Sequence, residues 1–291
     1  MEFLEFLKAV LFGIVEGITE WLPVSSTGHI ILFKDLLNPN MTEGFYDLFE
    51  MVIQLGAILA VLVLFFRMLN PFSRKKDQLQ KKDTWWLWLK VIIAVIPSAV
   101  IGLLIDDPLD EWLRGTPVLS TDLNTFVVAV MLIIYGVLFI LVERKRDRSF
   151  SVCEVGQLTL KTAVLIGAFQ CLSIIPGTSR SGATILGAIL LGVARPVGAE
   201  FSFFLAIPTM LGASAKNTLE YALDCVETGM FPSTTEIGML IVGCVVSFLV
   251  SLAVIKALMD FVRRHSFASF GIYRIVVGVL MIVYFVVRSF V

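Results

Sequence analysis

Pro23-Val24-Ser25-Ser26-Thr27-Gly28-His29 interrupts an apolar region that otherwise runs from about residue 3 to 36. A helix does not pass smoothly through this stretch, because Pro23 has no N–H to donate and its ring clashes with the preceding turn. Ser25, Ser26 and Thr27 then suit the cap of a new helix. A second break of the same character, Pro176-Gly177-Thr178-Ser179-Arg180-Ser181-Gly182, divides the apolar region from about 158 to 193. In each region an apolar arm enters a polar turn and a short arm follows. Each arm is too short to cross a bilayer comfortably, which takes ~20 apolar residues. The reading is a pair of re-entrant helical hairpins, whose irregular backbone survives at membrane depth only when buried in protein or lining a cavity. Ordinary spans with kinks are the plain alternative, and they rarely carry so many polar side chains.

The rest of the chain agrees with a membrane setting. Its 291 residues are 57% hydrophobic and only 16% charged, with a mean hydropathy of +0.89. Soluble domains run nearer ~45–50% apolar and ~25% charged. This composition excludes a soluble enzyme and a disordered chain. The net charge of −1 gives no field to attract a nucleic acid. Six further stretches, roughly 45–67, 85–105, 123–143, 197–216, 236–260 and 269–289, are long and apolar enough to span. The expected fold is therefore an all-α polytopic membrane protein with six transmembrane helices plus two re-entrant hairpins. The four cysteines, Cys153, Cys171, Cys225 and Cys244, show no metal or disulfide pattern and read as apolar fillers. Met1-Glu2-Phe3-Leu4-Glu5 lacks the basic start of a signal peptide, so the first helix is expected to stay in the mature chain.

Loop charges orient the spans. The segment 67–90 carries Arg67, Arg74, Lys75, Lys76, Lys81, Lys82 and Lys90; 144–148 carries Arg144, Lys145, Arg146 and Arg148; Arg263 and Arg264 follow the fifth span. These read as cytoplasmic. The acid-rich loops 106–122 and 217–235 read as external. Both termini then lie outside.

Divided near residue 149, the single membrane domain 1–291 becomes two similar halves. The first, 1–148, has hairpin 3–36 and three spans; the second, 149–291, has hairpin 158–193 and three spans. Ser26-Thr27-Gly28-His29-Ile30 resembles Arg180-Ser181-Gly182-Ala183-Thr184-Ile185 with one insertion, and Glu16 and Gln170 precede the two breaks. An odd number of crossings per half turns one half upside down relative to the other. The tips then meet near the midplane, where inverted-repeat transporters bind their substrates.

Ionisable groups at that depth are costly and mark function. Glu16 and Glu20, four apart, share a helix face. Two carboxylates together repel unless a proton or cation sits between them, and a hard cation such as Mg²⁺ or Ca²⁺ suits oxygen ligands. His29 lies one turn after Ser26, within reach of a nucleophile–base pairing. The second tip presents Arg180 between Ser179 and Ser181, with Thr184 beyond. Gly177 and Gly182 permit close backbone approach. A helix N-terminus favours phosphate, and an arginine beside it adds forked hydrogen bonds. Arg180 is expected to face an anionic ligand, the alternative being a salt bridge to Glu16 or Glu20. In a bilayer the natural ligand is a lipid phosphate. Glu50, with Gln54 one turn on, faces either the cavity or the surface. Arg274 is expected to snorkel to the interface.

These residues resemble a known family. Glu16-Gly17-Ile18-Thr19-Glu20 followed by Trp21-Leu22-Pro23-Val24-Ser25-Ser26-Thr27-Gly28-His29, together with Pro176-Gly177-Thr178-Ser179-Arg180-Ser181-Gly182-Ala183-Thr184, is similar to the two motifs of the bacterial undecaprenyl-diphosphatase family, also known for bacitracin resistance. The similarity extends to 49–56 and 200–203. It implies hydrolysis of a polyprenyl diphosphate to recycle the cell-wall lipid carrier, a divalent cation, a plasma-membrane location, and competition with bacitracin for the substrate. By motif it implies Glu16, Glu20, Ser26, His29 and Arg180 as catalytic residues, with Glu16 and Glu20 on the metal. Ser25, Thr27, Gly177, Thr178, Ser179, Arg180, Ser181 and Thr184 would bind the diphosphate.

The expected chemistry has Ser26 attack the terminal phosphorus with His29 as base, or an activated water attack in its place. The sequence leaves that choice open. It also leaves open the oligomeric state, a homodimer included. A lipid-phosphate transporter or flippase would use the same inverted-repeat site, but a carrier has no need of a nucleophile.

Overall fold

The computed structural model describes residues 2–114, 120–144 and 150–288. They form helices α1 (Glu2–Thr19), α2 (Ser26–Leu37), α3 (Glu43–Leu64), the single turn α4 (Phe66–Leu69), α5 (Gln78–Arg114), α6 (Ser120–Glu143), α7 (Leu160–Gln170), α8 (Arg180–Leu190), α9 (Arg195–Thr228), α10 (Thr234–Arg264) and α11 (Ala268–Arg288). Among the described residues the sole β-type pairing is an isolated bridge between Val152 and Val193. The chain is an all-α polytopic membrane protein. Six helices, α3, α5, α6, α9, α10 and α11, are long and apolar enough to cross a membrane, and they coincide with the six expected stretches.

Where helix and hydropathy differ, the helix is longer. α9 continues to Thr228, well past the apolar window ending near 216. The extension is amphipathic, with Lys216 paired to Glu220 one turn on at 3.7 Å, and needs no hydrocarbon to persist. α5 starts at Gln78 and ends at Arg114, beyond both edges of its window. The side chains of the acid-rich stretch 106–122 and of 145–148, both used to orient the spans, lie outside the described residues.

Each broken region forms two helices joined by a turn, the hairpins α1–α2 and α7–α8. α1 is the longest of the four arms, 18 residues or roughly 27 Å at ~1.5 Å per residue. α7 and α8 have 11 residues each. Each first arm is held by a long helix from the opposite part of the chain, α1 against α10 and α7 against α5, while α3 packs on α9 and α6 on α11. Small residues permit these approaches, as is usual where apolar lipid supplies little drive for helix association. A Cβ on Gly13 would lie 2.6 Å from the Gly243 carbonyl oxygen, and one on Gly167 only 1.8 Å from that of Ala94.

The hairpins start from opposite ends of the bundle. At one end the α1 start, the α2 exit and the α9–α10 turn are tied together. Glu5 accepts from the Asn40 N–H at 2.8 Å, and Glu236 accepts from the Thr42 N–H at 3.0 Å while completing a capping box with Ser233. At the other end Glu143 receives the Arg195 guanidinium on both oxygens and the Phe267 N–H at 3.2 Å. Lys90 there donates to the Gly156 carbonyl at 3.2 Å.

Candidate active site

The first tip is built by a failure of helix. Glu20 N–H still bonds the Glu16 carbonyl at 3.0 Å, but Val24 N–H turns back to Leu22 at 2.7 Å. Ser25 then takes φ 71° and caps α2, its Oγ accepting from the Gly28 N–H at 3.4 Å. The second tip repeats this geometry: Ser179 takes φ 70°, and its Oγ accepts from the Gly182 N–H at 3.2 Å. Positive φ on a residue with a Cβ costs ~1–3 kcal/mol and persists only where its surroundings enforce it. Aligning the caps places Ser26 opposite Arg180 and Gly28 opposite Gly182 with no insertion, which corrects the register expected from sequence. Gln170 then stands where Glu16 stands. It is buried and donates to Ser98 Oγ at 2.6 Å and Thr209 Oγ1 at 3.2 Å.

The tips meet, as expected. Ser181 Oγ lies 3.3 Å from the carbonyl oxygens of Glu20 and Leu22 and 3.1 Å from Ser179 Oγ. Ser26 donates its hydroxyl to Glu20 Oε2 at 2.8 Å. Arg180 donates to Glu20 Oε1 at 3.0 Å and to the Ser202 carbonyl at 2.7 Å. The salt-bridge alternative for Arg180 is therefore present, though its Nε has no hydrogen-bond partner among the described residues. Thr184 Oγ1 shares a hydrogen bond with Ser202 Oγ at 2.7 Å, which holds α8 to α9 just behind Arg180.

His29 is not placed on Ser26. Its Nδ1 donates to the Ser25 carbonyl at 2.7 Å. A carbonyl can only accept, so in the neutral ring Nε2 accepts from the Tyr273 hydroxyl at 2.8 Å. The i, i+3 spacing brings the two residues to one side of α2, but the ring is turned back over the cap. Thr27 is exposed and has drifted from the cluster. Gly177 is pressed against the Val128 backbone with φ +87°, and Thr178 is fully buried. Both turn their carbonyls to a residue that sequence reasoning misplaced.

That residue is Arg274. It does not snorkel: it is 0% exposed. Its guanidinium donates to Pro23 O at 2.9 Å in the first tip and to Gly177 O and Thr178 O at 2.8 and 2.9 Å in the second. It also lies over the Tyr135 ring, 5.4 Å from the centroid. Its sequence surroundings resemble those of an interfacial arginine, and the broken backbone it serves comes from two distant segments. Tyr273 gave no signal either, being a single hydroxyl within an apolar helix, while Ser202 fell within the 200–203 similarity without a role.

Glu16 is 1% exposed and its Oε1 has no hydrogen-bond partner among the described residues. Glu20, Glu50 and Arg180 all lie within its electrostatic reach, and Glu50 is half-buried. Among the described residues no three His, Cys, Asp or Glu side chains cluster tightly enough to hold a metal unaided. An orphaned carboxylate oxygen beside a second carboxylate nevertheless fits Mg²⁺, which takes one or two carboxylates and completes its shell with substrate phosphates and water.

Fold and site together define a polytopic membrane protein in which Glu20, Ser26, Arg180 and Ser181 are brought together where two broken-helix tips meet. The family model described as bacitracin resistance protein BacA matches residues 9–280, and the chain belongs to this family. Similar relatives include an undecaprenyl-diphosphatase of Enterococcus faecalis, 50% identical over 97% of this chain and 98% of its own. Undecaprenyl-diphosphatase 1 of Clostridioides difficile (strain 630) is 53% identical over 97% of both chains. An undecaprenyl-diphosphatase of Lactococcus lactis subsp. lactis (strain IL1403) is 47% identical over 99% of both.

Proposed function

We propose that the protein hydrolyses undecaprenyl diphosphate to undecaprenyl phosphate and inorganic phosphate. The observation that carries this is the hydroxyl of Ser26 donated to a carboxylate whose other oxygen is fixed by Arg180. A carrier needs no such arrangement. Family membership and the names of the full-length relatives support the same substrate.

In the reaction, Glu20 accepts the Ser26 proton as Ser26 Oγ bonds to the terminal phosphorus. The bond from that phosphorus to the bridging oxygen breaks, and the prenyl phosphate leaves. Water then cleaves the phosphoserine, returning the proton to Ser26 and releasing phosphate. The base expected from sequence was His29; the contacts favour Glu20, with His29 locking the Ser25 cap. Arg180, its Nε free, donates to the charged phosphoryl oxygens, and the N-terminal amides of α2 and α8 add fixed positive dipoles. The resemblance puts a divalent cation on Glu16 and Glu20; with both Glu20 oxygens engaged by Ser26 and Arg180, Glu16 Oε1 is the position that would hold it, and the cation would supply charge neutralisation at phosphate oxygens.

The remaining elements of the reading follow from the packing and loop charges. The hairpins are re-entrant, the halves 1–148 and 149–291 are an inverted duplication, and the reciprocal packing of α1 on α10 and α7 on α5 supports this. The basic ends Arg67–Lys90 and Arg263–Arg264 face the cytoplasm of a plasma membrane, placing the termini and the mouth of the first hairpin outside. Bacitracin competes for the same diphosphate.

The test is phosphate release by purified protein in detergent, with and without Mg²⁺ or Ca²⁺. Ser26→Ala should lose ~10³-fold or more in turnover, as when an activated nucleophile is removed. Near-wild-type turnover would pass the attack to water. Arg180→Lys should also lose most activity, because an ammonium cannot reproduce the fork.

A further inference from the structure

The first half of α5 carries an outward groove of about 740 Å³, running from Gln78 to Ile92, and none of its lining residues belongs to either tip. The other side of α5 packs on α7 and α9, with Thr84, Leu87 and Val91 buried. Polarity changes in one direction along the groove. Lys81 and Lys82 lie near its start, Trp85 and Trp86 follow, and Leu89 and Ile92 come last, within a helix long and apolar enough to cross a membrane. Trp85, Trp86 and Ile92 are each about half exposed. The protein fixes the walls. Trp85 meets Phe72 edge to face with centroids 5.7 Å apart, and Trp88 donates its indole N–H to the Leu69 carbonyl at 2.8 Å.

The charges around the groove are already sorted. The Lys76 ammonium donates to the Met68 carbonyl at 3.1 Å and to Thr84 Oγ1 at 2.6 Å, and Lys90 donates to the Gly156 carbonyl. Asp77 accepts from the Gln80 N–H at 2.8 Å, and Asp83 lines a neighbouring cavity rather than this groove. Lys81 and Lys82 enter no ion pair among the described residues. Tryptophan favours the membrane–water boundary, and lysines clustered just beyond a span attract anionic headgroups. From Lys82 to Ile92 the helix rises roughly 15 Å, half of a ~30 Å hydrocarbon core. An acidic soluble partner cannot reach the apolar end, and a second copy presenting the same face would set lysine against lysine. We propose that the groove is a binding site for an anionic phospholipid, with its phosphate at Lys81 and Lys82 and an acyl chain along Trp85, Leu89 and Ile92. A face that merely met hydrocarbon would take any lipid, whereas each lysine adds about fivefold for a charged headgroup. The proposal is independent of the phosphatase reading.

The experiment places the full chain in phosphatidylcholine vesicles doped with brominated phosphatidylglycerol or, in parallel, brominated phosphatidylcholine, and reads the quenching of tryptophan fluorescence. The part of the quench that Trp85→Phe/Trp86→Phe removes belongs to the groove. There the wild type should prefer phosphatidylglycerol about tenfold or more. Lys81→Gln/Lys82→Gln should bring the preference close to one. Arg74→Gln/Lys75→Gln, an equal loss of charge at exposed side chains that do not line the groove, should keep most of it. No preference in the wild type, or an equal loss in both double variants, would overturn the proposal and leave only the general attraction of a basic surface. Quenching by neither lipid would put a second copy over the face. Loss of the preference to inorganic phosphate at constant ionic strength would make it a free-anion site. Either of these results also overturns the proposal.

Discussion

Removing the Arg274 side chain should disable the site far more than it unfolds the protein. Arg274→Met deletes three hydrogen bonds, at 2.9, 2.8 and 2.9 Å, to backbone carbonyls of both tips. Hydrogen bonds to a charged group contribute ~1.5–3 kcal/mol each, giving about 4.5–9 kcal/mol gross. Against this stands the burial of a guanidinium with no carboxylate partner among the described residues, which costs several kcal/mol after relaxation. Met relieves that cost and fills most of the space, so the net loss of stability should be about 1–3 kcal/mol. The tips, however, lose the only side chain among the described residues seen to bond backbone oxygens of both. Ser26 sits on one tip and Arg180 on the other, and a ~1 Å misplacement of catalytic groups can cost ~10²-fold. We expect kcat for prenyl diphosphate hydrolysis to fall ~10²-fold or more, with KM changing much less and a modest drop in Tm. Arg274→Lys should be intermediate, because an ammonium can keep some of the bonds but cannot span both tips as a fork. Phosphate release in detergent and thermal unfolding of the same samples give both numbers. Arg274→Met with wild-type kcat, or with activity lost only in proportion to folded protein, would refute the positioning role.

The helix contacts yield a second test: Gly167→Ala sets a methyl 1.8 Å from the Ala94 carbonyl oxygen, and overpacking of this kind should cost about 1–3 kcal/mol or more, read as a lower Tm in detergent. Glu236→Ala removes the capping box on α10 and the acceptor for both Thr42 donors; a loss of ~1–2 kcal/mol is expected, with kcat largely kept. Glu143→Gln leaves the Arg195 fork without its charge partner and should destabilise by ~1–3 kcal/mol, again without a selective loss of kcat. Tyr273→Phe deletes only the hydroxyl on His29 Nε2, so Tm should hold while kcat falls ~10-fold, the upper end of what a neutral hydrogen bond contributes; unchanged kcat would remove His29 from the active-site support.

What the sequence made legible was whatever depends on local pattern. Six hydropathy windows located six helices, since length and apolarity alone decide what can cross a bilayer. Pro23 and Pro176 located the tips, because a missing N–H is a local event. Their polar residues proved to lie together, Glu20, Ser26, Arg180 and Ser181 within hydrogen-bond reach of the opposing tip or of one another. What was not legible depends on the partner rather than on the residue. His29 has the spacing of a base for Ser26, yet its ring angle is set by the Ser25 carbonyl and by Tyr273 on a helix distant in sequence. Arg274 near a helix start looks interfacial until the broken backbones it serves are brought against it.

The two caps also explain why the chemistry is concentrated where it is. Ser25 and Ser179 adopt the same strained φ and cap their helices in the same way, so the residue following each is delivered to an equivalent place at the start of its helix. On one side that residue is Ser26 and on the other Arg180. The arrangement thus presents a hydroxyl and a guanidinium as counterparts, and Glu20 joins them by giving one oxygen to each. The same comparison pairs Glu16 with Gln170, which is charged on one side and neutral on the other. Only the Ser26 side keeps the second carboxylate; Glu16 Oε1 and Gln170 Oε1 are both buried without a partner among the described residues, so the matched positions differ in charge and not in being unpaired. On the other side the Gln170 amide nitrogen donates to Ser98 and Thr209. The two matched caps therefore carry different chemistry, because the side chains at matched positions, Ser26 against Arg180 and Glu16 against Gln170, differ in charge.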